Sequence, residues 1–184
     1  MKELTIREEY DLLQELSVEE RNFIHNGSSR AVYLLDKNRV LKVAMDRQGR
    51  QQNTNEINLF RAHGNQHLAE IFAYGKFVVV MEMVDEQDID EMVFEYEDAD
   101  NQEVVDVIDF LERSHGSTDD NFQLGYSTTR NKLVCFDYGY HTDYENSQLV
   151  SHRLYSQLAK LGEDGLLQRT SRMLKLLLDK SAKI

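Results

Sequence analysis

The 184-residue sequence contains one cysteine, no proline and no tryptophan. A single cysteine, Cys135, excludes an intramolecular disulfide and a cysteine-based zinc cluster. No stretch approaches the roughly 18 consecutive apolar residues that a transmembrane helix requires. The charged first residues do not have the pattern of a signal peptide. We therefore expect a cytoplasmic protein that does not enter a membrane.

Basic residues are also few, and their shortage is confined to one segment. The sequence has 21 Lys and Arg against 33 Asp and Glu, which gives a net charge of −12. Segment 85–109 contains twelve acids and no Lys or Arg, so the rest of the chain is neutral. Because binding to phosphates needs clustered Lys and Arg, the composition argues against a nucleic-acid partner. The segment is either a solvated surface or a docking site for a basic protein or a cationic substrate.

The order of predicted elements indicates an α+β fold, with strands mostly in the first half and helices in the second. Apolar spacing predicts a helix over residues 5–16, and β-type runs at 31–35 and 40–45 flank a hairpin loop. The other predictions, in chain order, are a polar turn at 22–29, a polar segment at 47–53, a helix at 54–63, strands at 69–74 and 77–83, a helix from residue 101, a hairpin over 122–136, and helices at 147–161 and 165–180.

Three features of the first half are candidates for chemistry. Gly27 begins a turn, residues 27–31, at which the backbone can approach a ligand closely and present amides to phosphate oxygens. Lys42 lies among apolar β residues and is either a solvated strand lysine or a point charge for a phosphate. Glu56, fourteen residues later, is either a surface glutamate or the ion-pair partner of Lys42.

Two features of the second half suggest a metal site. A polar loop ends at Asn121, and Asp137 follows the apolar strand 133–136. These two residues flank the predicted hairpin, so both side chains are predicted to face the same cleft. Amide and carboxylate oxygens are suitable ligands for Mg²⁺ held by nucleotide phosphates. Asn121 and Asp137 are therefore candidate magnesium ligands.

The order of these features resembles the layout of protein kinases. Residues 40–44, Val-Leu-Lys-Val-Ala, are similar to the V-A-I-K strand of that family, and residues 136–139, Phe-Asp-Tyr-Gly, are similar to its D-F-G motif. The match runs from about residue 26 to residue 139. The chain resembles a small, divergent member of the protein-kinase-like superfamily, of the compact kind found in phages and bacteria.

This resemblance implies a two-lobed fold that binds ATP and Mg²⁺. The β-rich first lobe would be residues 1–84, and a reduced helical second lobe would be residues 85–184. The backbone of a hinge strand at 80–84 would hold adenine, and Glu56 would pair with Lys42. The resemblance assigns nucleotide binding to Gly27, Ser28, Ser29, Lys42, Glu82 and Met83, and metal binding to Asn121 and Asp137.

The loop before Asn121 departs from the family pattern. The catalytic aspartate of the family lies five residues before the metal-binding asparagine, where this sequence has Gly116. Asp119 and Asp120 are the nearby carboxylates that a shortened loop would offer as the base. Two functions stay open. One is an ATP-dependent phosphotransferase acting on a protein Ser/Thr or a small-molecule hydroxyl. The other is an inactive pseudokinase that binds or inhibits a protein through segment 85–109.

Overall fold

The structure is a computed structural model that describes residues 1–18, 22–27, 29–86, 102–115, 123–139 and 175. These residues have a mixed α+β architecture, and Lys175 is described alone as helical. The described helices are α1 (Ile6–Val18), α2 (Arg47–His63) and α3 (Gln102–His115). The described strands are β1 (Lys2–Glu3), β2 (Phe23–Asn26), β3 (Arg30–Asp36), β4 (Arg39–Ala44), β5 (Ile71–Tyr74), β6 (Val78–Glu82), β7 (Val84–Glu86), β8 (Gln123–Ser127) and β9 (Leu133–Asp137).

The strands form two sheets. The larger sheet has the order β1-β5-β6-β4-β3-β2, in which β1 runs parallel to β5 and the other neighbours are antiparallel. The smaller sheet has the order β7-β8-β9 and is antiparallel. Within the described ranges, no helix is both long enough and apolar enough to cross a membrane.

The larger sheet is buried on both faces, because successive side chains of a strand point to opposite faces. One apolar cluster joins α1 to one face and includes Leu13, Leu16, Leu41, Val43, Val78 and Val80. A second cluster joins α2, α3 and the smaller sheet to the opposite face and includes Val40, Ile57, Val79, Met81, Val107, Leu111, Leu124 and Val134. Lys42 follows Val40 by two residues on β4, so its side chain points to the same face as that of Val40, between the two sheets.

The structure confirms the predicted hairpin of residues 31–35 and 40–45, which form β3 and β4. The prediction of a polar turn at 22–29 is wrong, because residues 23–26 form β2 and pair with β3. The ring of Phe23 packs edge-on against Tyr33, with 5.6 Å between ring centroids. Four residues at a sheet edge are too few to show a period-two pattern, which explains why this strand was missed.

The prediction that residues 47–53 precede a helix is also wrong, because α2 begins at Arg47. Asp46 caps this helix, and its Oδ1 accepts a hydrogen bond from the Gly49 amide at 2.7 Å. The first turns are polar yet partly buried, since Gln52 and Asn53 are both buried. Hydrophobic periodicity does not detect a helix whose buried positions are polar.

The predicted hinge strand 80–84 is divided between two strands. β6 ends at Glu82, Met83 lies between strands, and Val84 begins β7 in the smaller sheet. The predicted lobe boundary after residue 84 thus falls inside β7. The second apolar cluster has members on both sides of this boundary, and the division into two lobes stays a prediction. The predicted helices at 147–161 and 165–180 lie outside the described residues, except for Lys175.

Candidate functional site

A cavity of about 520 Å³ is lined by residues from both sheets and from α2. This volume lies within the range of small-molecule sites. The apolar lining comes from strands β2, β3, β4, β6, β7 and β9, and includes Ile24, Val32, Val40, Met81, Val84 and Phe136. Residues that the sequence assigned to binding also line the cavity, namely Gly27, Ser29, Lys42, Glu82, Met83 and Asp137. The fold therefore brings most of the described candidates to one place.

Lys42 and Glu56 form the buried ion pair that the sequence suggested. The Nζ of Lys42 donates to Oε1 of Glu56 at 2.8 Å, and the Glu56 side chain is 0% exposed. The same ammonium donates to the backbone carbonyl of Phe136 at 2.6 Å. This second contact joins β4 to the end of β9, so Lys42 connects the two sheets. The alternatives of a solvated lysine and a surface glutamate are excluded.

Asp137 is held at the cavity by the two residues that follow it. Tyr138 is fully buried, and its hydroxyl donates to the backbone carbonyl of Ala69 at 3.1 Å. Asn55 of α2 donates to the carbonyl of Gly139 at 3.1 Å. A Cβ at Gly139 would come within 2.6 Å of a backbone carbonyl oxygen of α2, so only glycine allows this approach. The packing of this turn on α2 fixes the position of the Asp137 carboxylate.

Arg30 completes a cluster of four charges, and sequence reasoning gave it no role. Its Nη1 lies 2.8 Å from Oε2 of Glu56, and its Nη2 donates to Oδ1 of Asp137. Lys42 Nζ lies 3.7 Å from the same Oδ1. The alternation of side chains along a strand is the signal that could have indicated Arg30. Val32 lies opposite Lys42 in the β3–β4 register, so Arg30, two residues before Val32, lies on the same face of the sheet as Lys42.

The four charges stabilise one another against the cost of burial. Burial alone would raise the pKa of Asp137, but the charges of Lys42 and Arg30 hold that pKa below its usual value. Burial alone would lower the pKa of Arg30, but Glu56 and Asp137 keep that pKa raised. Asp137 and Arg30 therefore both stay charged at neutral pH. We call Arg30, Lys42, Glu56 and Asp137 the four-charge cluster.

The turn that begins at Gly27 packs close to the cavity. The Gly27 amide donates to the carbonyl of Arg30 at 2.8 Å, which closes the turn between β2 and β3. Ser29 is buried, and its hydroxyl has no hydrogen-bond partner among the described residues. A Cβ at Gly49 would lie 2.1 Å from the Ser29 carbonyl oxygen, so glycine at this point lets α2 approach the turn. Ser28 lies outside the described residues.

The predicted adenine contacts at Glu82 and Met83 are already occupied by the chain itself. The Glu82 amide donates to the Glu70 carbonyl at 2.8 Å, and the Met83 amide donates to the Asn38 carbonyl at 2.7 Å. The Met83 carbonyl accepts from the Thr128 hydroxyl at 3.0 Å. Both residues line the cavity, but their amides are not free to bind a base in this arrangement.

The described residues do not by themselves form a Mg²⁺ site. Mg²⁺ binds oxygen ligands, usually carboxylates together with water and phosphates. Asp137 is the described ligand candidate, and its Oδ1 is already in contact with Arg30 and Lys42. The other predicted ligand, Asn121, lies outside the described residues, as do Gly116, Asp119 and Asp120. The metal prediction therefore depends on residues beyond the described ranges.

Cys135 is not a candidate nucleophile. It is fully buried in the apolar cluster of β9, and burial raises the pKa of its thiol. A thiol with a raised pKa holds its proton at neutral pH and is a poor nucleophile.

No protein-family model matches this chain, and the search of curated proteins found no significant match. The kinase-like resemblance therefore depends on the residues and geometry given above.

Proposed function

We propose that this protein is a kinase-like nucleotide-binding protein, with the nucleotide in the cavity between the two sheets. The observation that carries this proposal is the convergence of Lys42, Glu56 and Asp137, which are far apart in sequence, beside a cavity that Lys42 and Asp137 line. The buried hydroxyl of Ser29 adds a hydrogen-bonding group without a partner among the described residues. In the proposed arrangement, Glu56 orients Lys42, and apolar residues surround the base.

A binding experiment tests the proposal with ATP and adenosine, each in EDTA and in Mg²⁺. A ligand at one hundred times its dissociation constant raises the free energy of unfolding by about 2.7 kcal/mol, which thermal or urea unfolding detects easily. We expect Lys42→Met to reduce the stabilisation by ATP, and Lys37→Met, at an exposed turn, to retain it. No stabilisation by either ligand in either condition would overturn the proposal.

Phosphoryl transfer is the first candidate activity of the bound nucleotide, with ATP and Mg²⁺ as the predicted cofactors. The acceptor would be a protein Ser/Thr or a small-molecule hydroxyl. Asp119 or Asp120 would act as the base, and Asn121 would complete the metal site with Asp137. Labelled ATP, incubated with the protein and a panel of acceptors, tests this activity. We expect Asp137→Asn to remove transfer, and either Asp119→Asn or Asp120→Asn to reduce it.

A catalytically inactive binding protein is the second candidate, and a specific observation favours it. Arg30 already donates to one of the two carboxylate oxygens of Asp137, the described metal-ligand candidate. In this case the acidic segment 85–109 would dock on a basic protein, and the cavity would hold a ligand that stabilises the fold. Partner capture at low and high salt tests the idea, with the acids of 85–109 changed to Asn and Gln. Capture that survives this change would exclude acidic docking.

A further inference from the structure

The positive charges of the cavity are already used by the protein. Among the described lining residues, Arg30 and Lys42 are the basic ones, and their side chains are 7% and 5% exposed. Each contacts Glu56, and each lies near Asp137. Two positive and two negative charges give the four-charge cluster a net charge of zero. A phosphate that enters the cavity would therefore have to draw Arg30 or Lys42 away from a carboxylate.

The charge that this cluster presents to the cavity is negative. Asp137 is its most accessible member, with its side chain 36% exposed, whereas Glu56 is fully buried. Asp85 also lines the cavity and is exposed. Both carboxylates repel an incoming phosphate, and charged groups interact more strongly in a cavity than in bulk water.

The rest of the cavity suits an uncharged ring system. Most of its other walls are aliphatic, methionine or phenylalanine side chains, which favour burial of an apolar or aromatic surface. The buried Ser29 hydroxyl and the Gln52 and Gln123 side chains add neutral polar groups around this lining. Neutral donors and acceptors can bind sugar hydroxyls or ring nitrogens without disturbing the four-charge cluster.

We propose that the cavity selects a nucleoside over its di- and triphosphates, and that Asp137, paired with Arg30 and Lys42, sets this preference. The inference rests on the proposed function, because it assumes that the base and sugar of a nucleotide enter this cavity. It adds that the phosphate end is closed by charges of the protein itself. Phosphates gain affinity only when the charge of the cluster becomes positive.

Calorimetric titration in EDTA tests this inference with adenosine and ATP, and with guanosine and GTP to cover either purine. We expect the wild-type protein to bind the nucleoside at least tenfold more tightly than the triphosphate. Asp137→Asn gives the cluster a charge of +1 and should improve triphosphate affinity, relative to the nucleoside, at least tenfold. Arg30→Gln gives a charge of −1 and should change that ratio in the opposite direction.

Matched controls come from the exposed pair Asp36–Arg39, which flanks the turn between β3 and β4. Asp36→Asn and Arg39→Gln change the total charge of the protein by the same amounts, but not the charge of the cavity. We expect both to leave the affinity ratio unchanged. Circular dichroism shows whether each variant is folded. If Arg30→Gln does not fold, Asp137→Asn, which changes a partly exposed side chain, decides the test.

The outcomes separate this inference from the proposed function. Tighter binding of the triphosphate than of the nucleoside by the wild-type protein in EDTA would overturn the inference and leave the proposed function standing. An unchanged ratio in Asp137→Asn would overturn the role of Asp137. If the wild-type protein and all variants bind neither nucleosides nor triphosphates, the proposed function itself is overturned and the inference falls with it.

Discussion

Two buried ionic clusters in this protein differ in how completely the chain satisfies them. In the four-charge cluster, Asp137 is 36% exposed at a cavity, and the Ser29 hydroxyl nearby in the cavity lining has no partner among the described residues. The second cluster surrounds Glu82, whose carboxylate accepts from Ser127, Thr129 and Arg130 and from the Glu70 amide. A carboxylate with all of its acceptor positions filled has a structural role.

The difference shows how a buried charge can be assigned to structure or to binding. Glu82 and Arg130 attach the turn between β8 and β9 to the end of β6, and Arg130 also donates to the carbonyls of Asn65 and Leu68. No group in this second cluster faces the cavity with an exposed charge, as far as the described residues extend. The four-charge cluster instead places an accessible carboxylate where a ligand can reach it. We therefore propose that the cluster at Asp137, and not the one at Glu82, contributes to ligand binding.

The largest effect is expected from Glu56→Gln. This change leaves Lys42 and Arg30 buried without their shared carboxylate, and the loss of one partner from a buried ion pair costs about 3–5 kcal/mol. Urea unfolding should show this fall in the free energy of unfolding. Asp36→Asn, at an exposed pair, is the control. A change of less than about 1 kcal/mol for Glu56→Gln would contradict the interpretation that this carboxylate holds both cations.

A smaller effect is expected from Glu82→Gln. The amide keeps the shape of the side chain and some of its hydrogen bonds, and Arg130 is 22% exposed, so water can partly solvate it. Hydrogen bonds to a charged group are worth about 1.5–3 kcal/mol, and we expect a loss within that range. The same urea experiment measures it. A loss equal to or greater than that of Glu56→Gln would reverse the comparison of the two clusters.

Acid should weaken both clusters, because the pKa values of Asp137 and Glu82 are lowered in the folded protein. In each case burial opposes the shift and neighbouring cations or hydrogen-bond donors outweigh it. A carboxylate whose pKa is lowered by folding contributes stability at any pH above its pKa in the unfolded protein, about 4. This contribution is lost as the pH falls through the pKa of the carboxylate in the folded protein. Unfolding measured at pH 6, 4 and 3 should show a shallower decline for Asp137→Asn than for the wild type. An identical decline would contradict the lowered pKa.

The smallest effect is expected from Arg39→Gln. Its guanidinium pairs with Asp36 across an exposed turn, with the two side chains 49% and 40% exposed. Surface ion pairs are worth about 0–1 kcal/mol, so the free energy of unfolding should barely change. Urea unfolding in low and high salt checks this value. A larger loss would show that burial is not what separates the clusters from the surface pairs.

Much of the fold could be predicted because the strands carry the signal locally. The runs that became β3 and β4 are continuous apolar segments with a turn between them, and they were identified correctly. The strand β2 and the first turns of α2 were missed, because an edge strand of four residues and a polar helical segment lack hydrophobic periodicity. Glu9 shows a similar limit: its buried carboxylate accepts from the amides of Lys76 and Phe77, 67 and 68 residues away.

The sequence by itself determined the mixed α+β class and the net charge confined to segment 85–109, and it left Glu56 as either a surface glutamate or the ion-pair partner of Lys42. These follow from local composition and from the order of short motifs. Only the tertiary structure decided that Arg30 joins that pair and holds Asp137, which lies 107 residues away. A contact over that separation depends on strand register and on the packing of two sheets against α2. It therefore leaves no local pattern in the sequence.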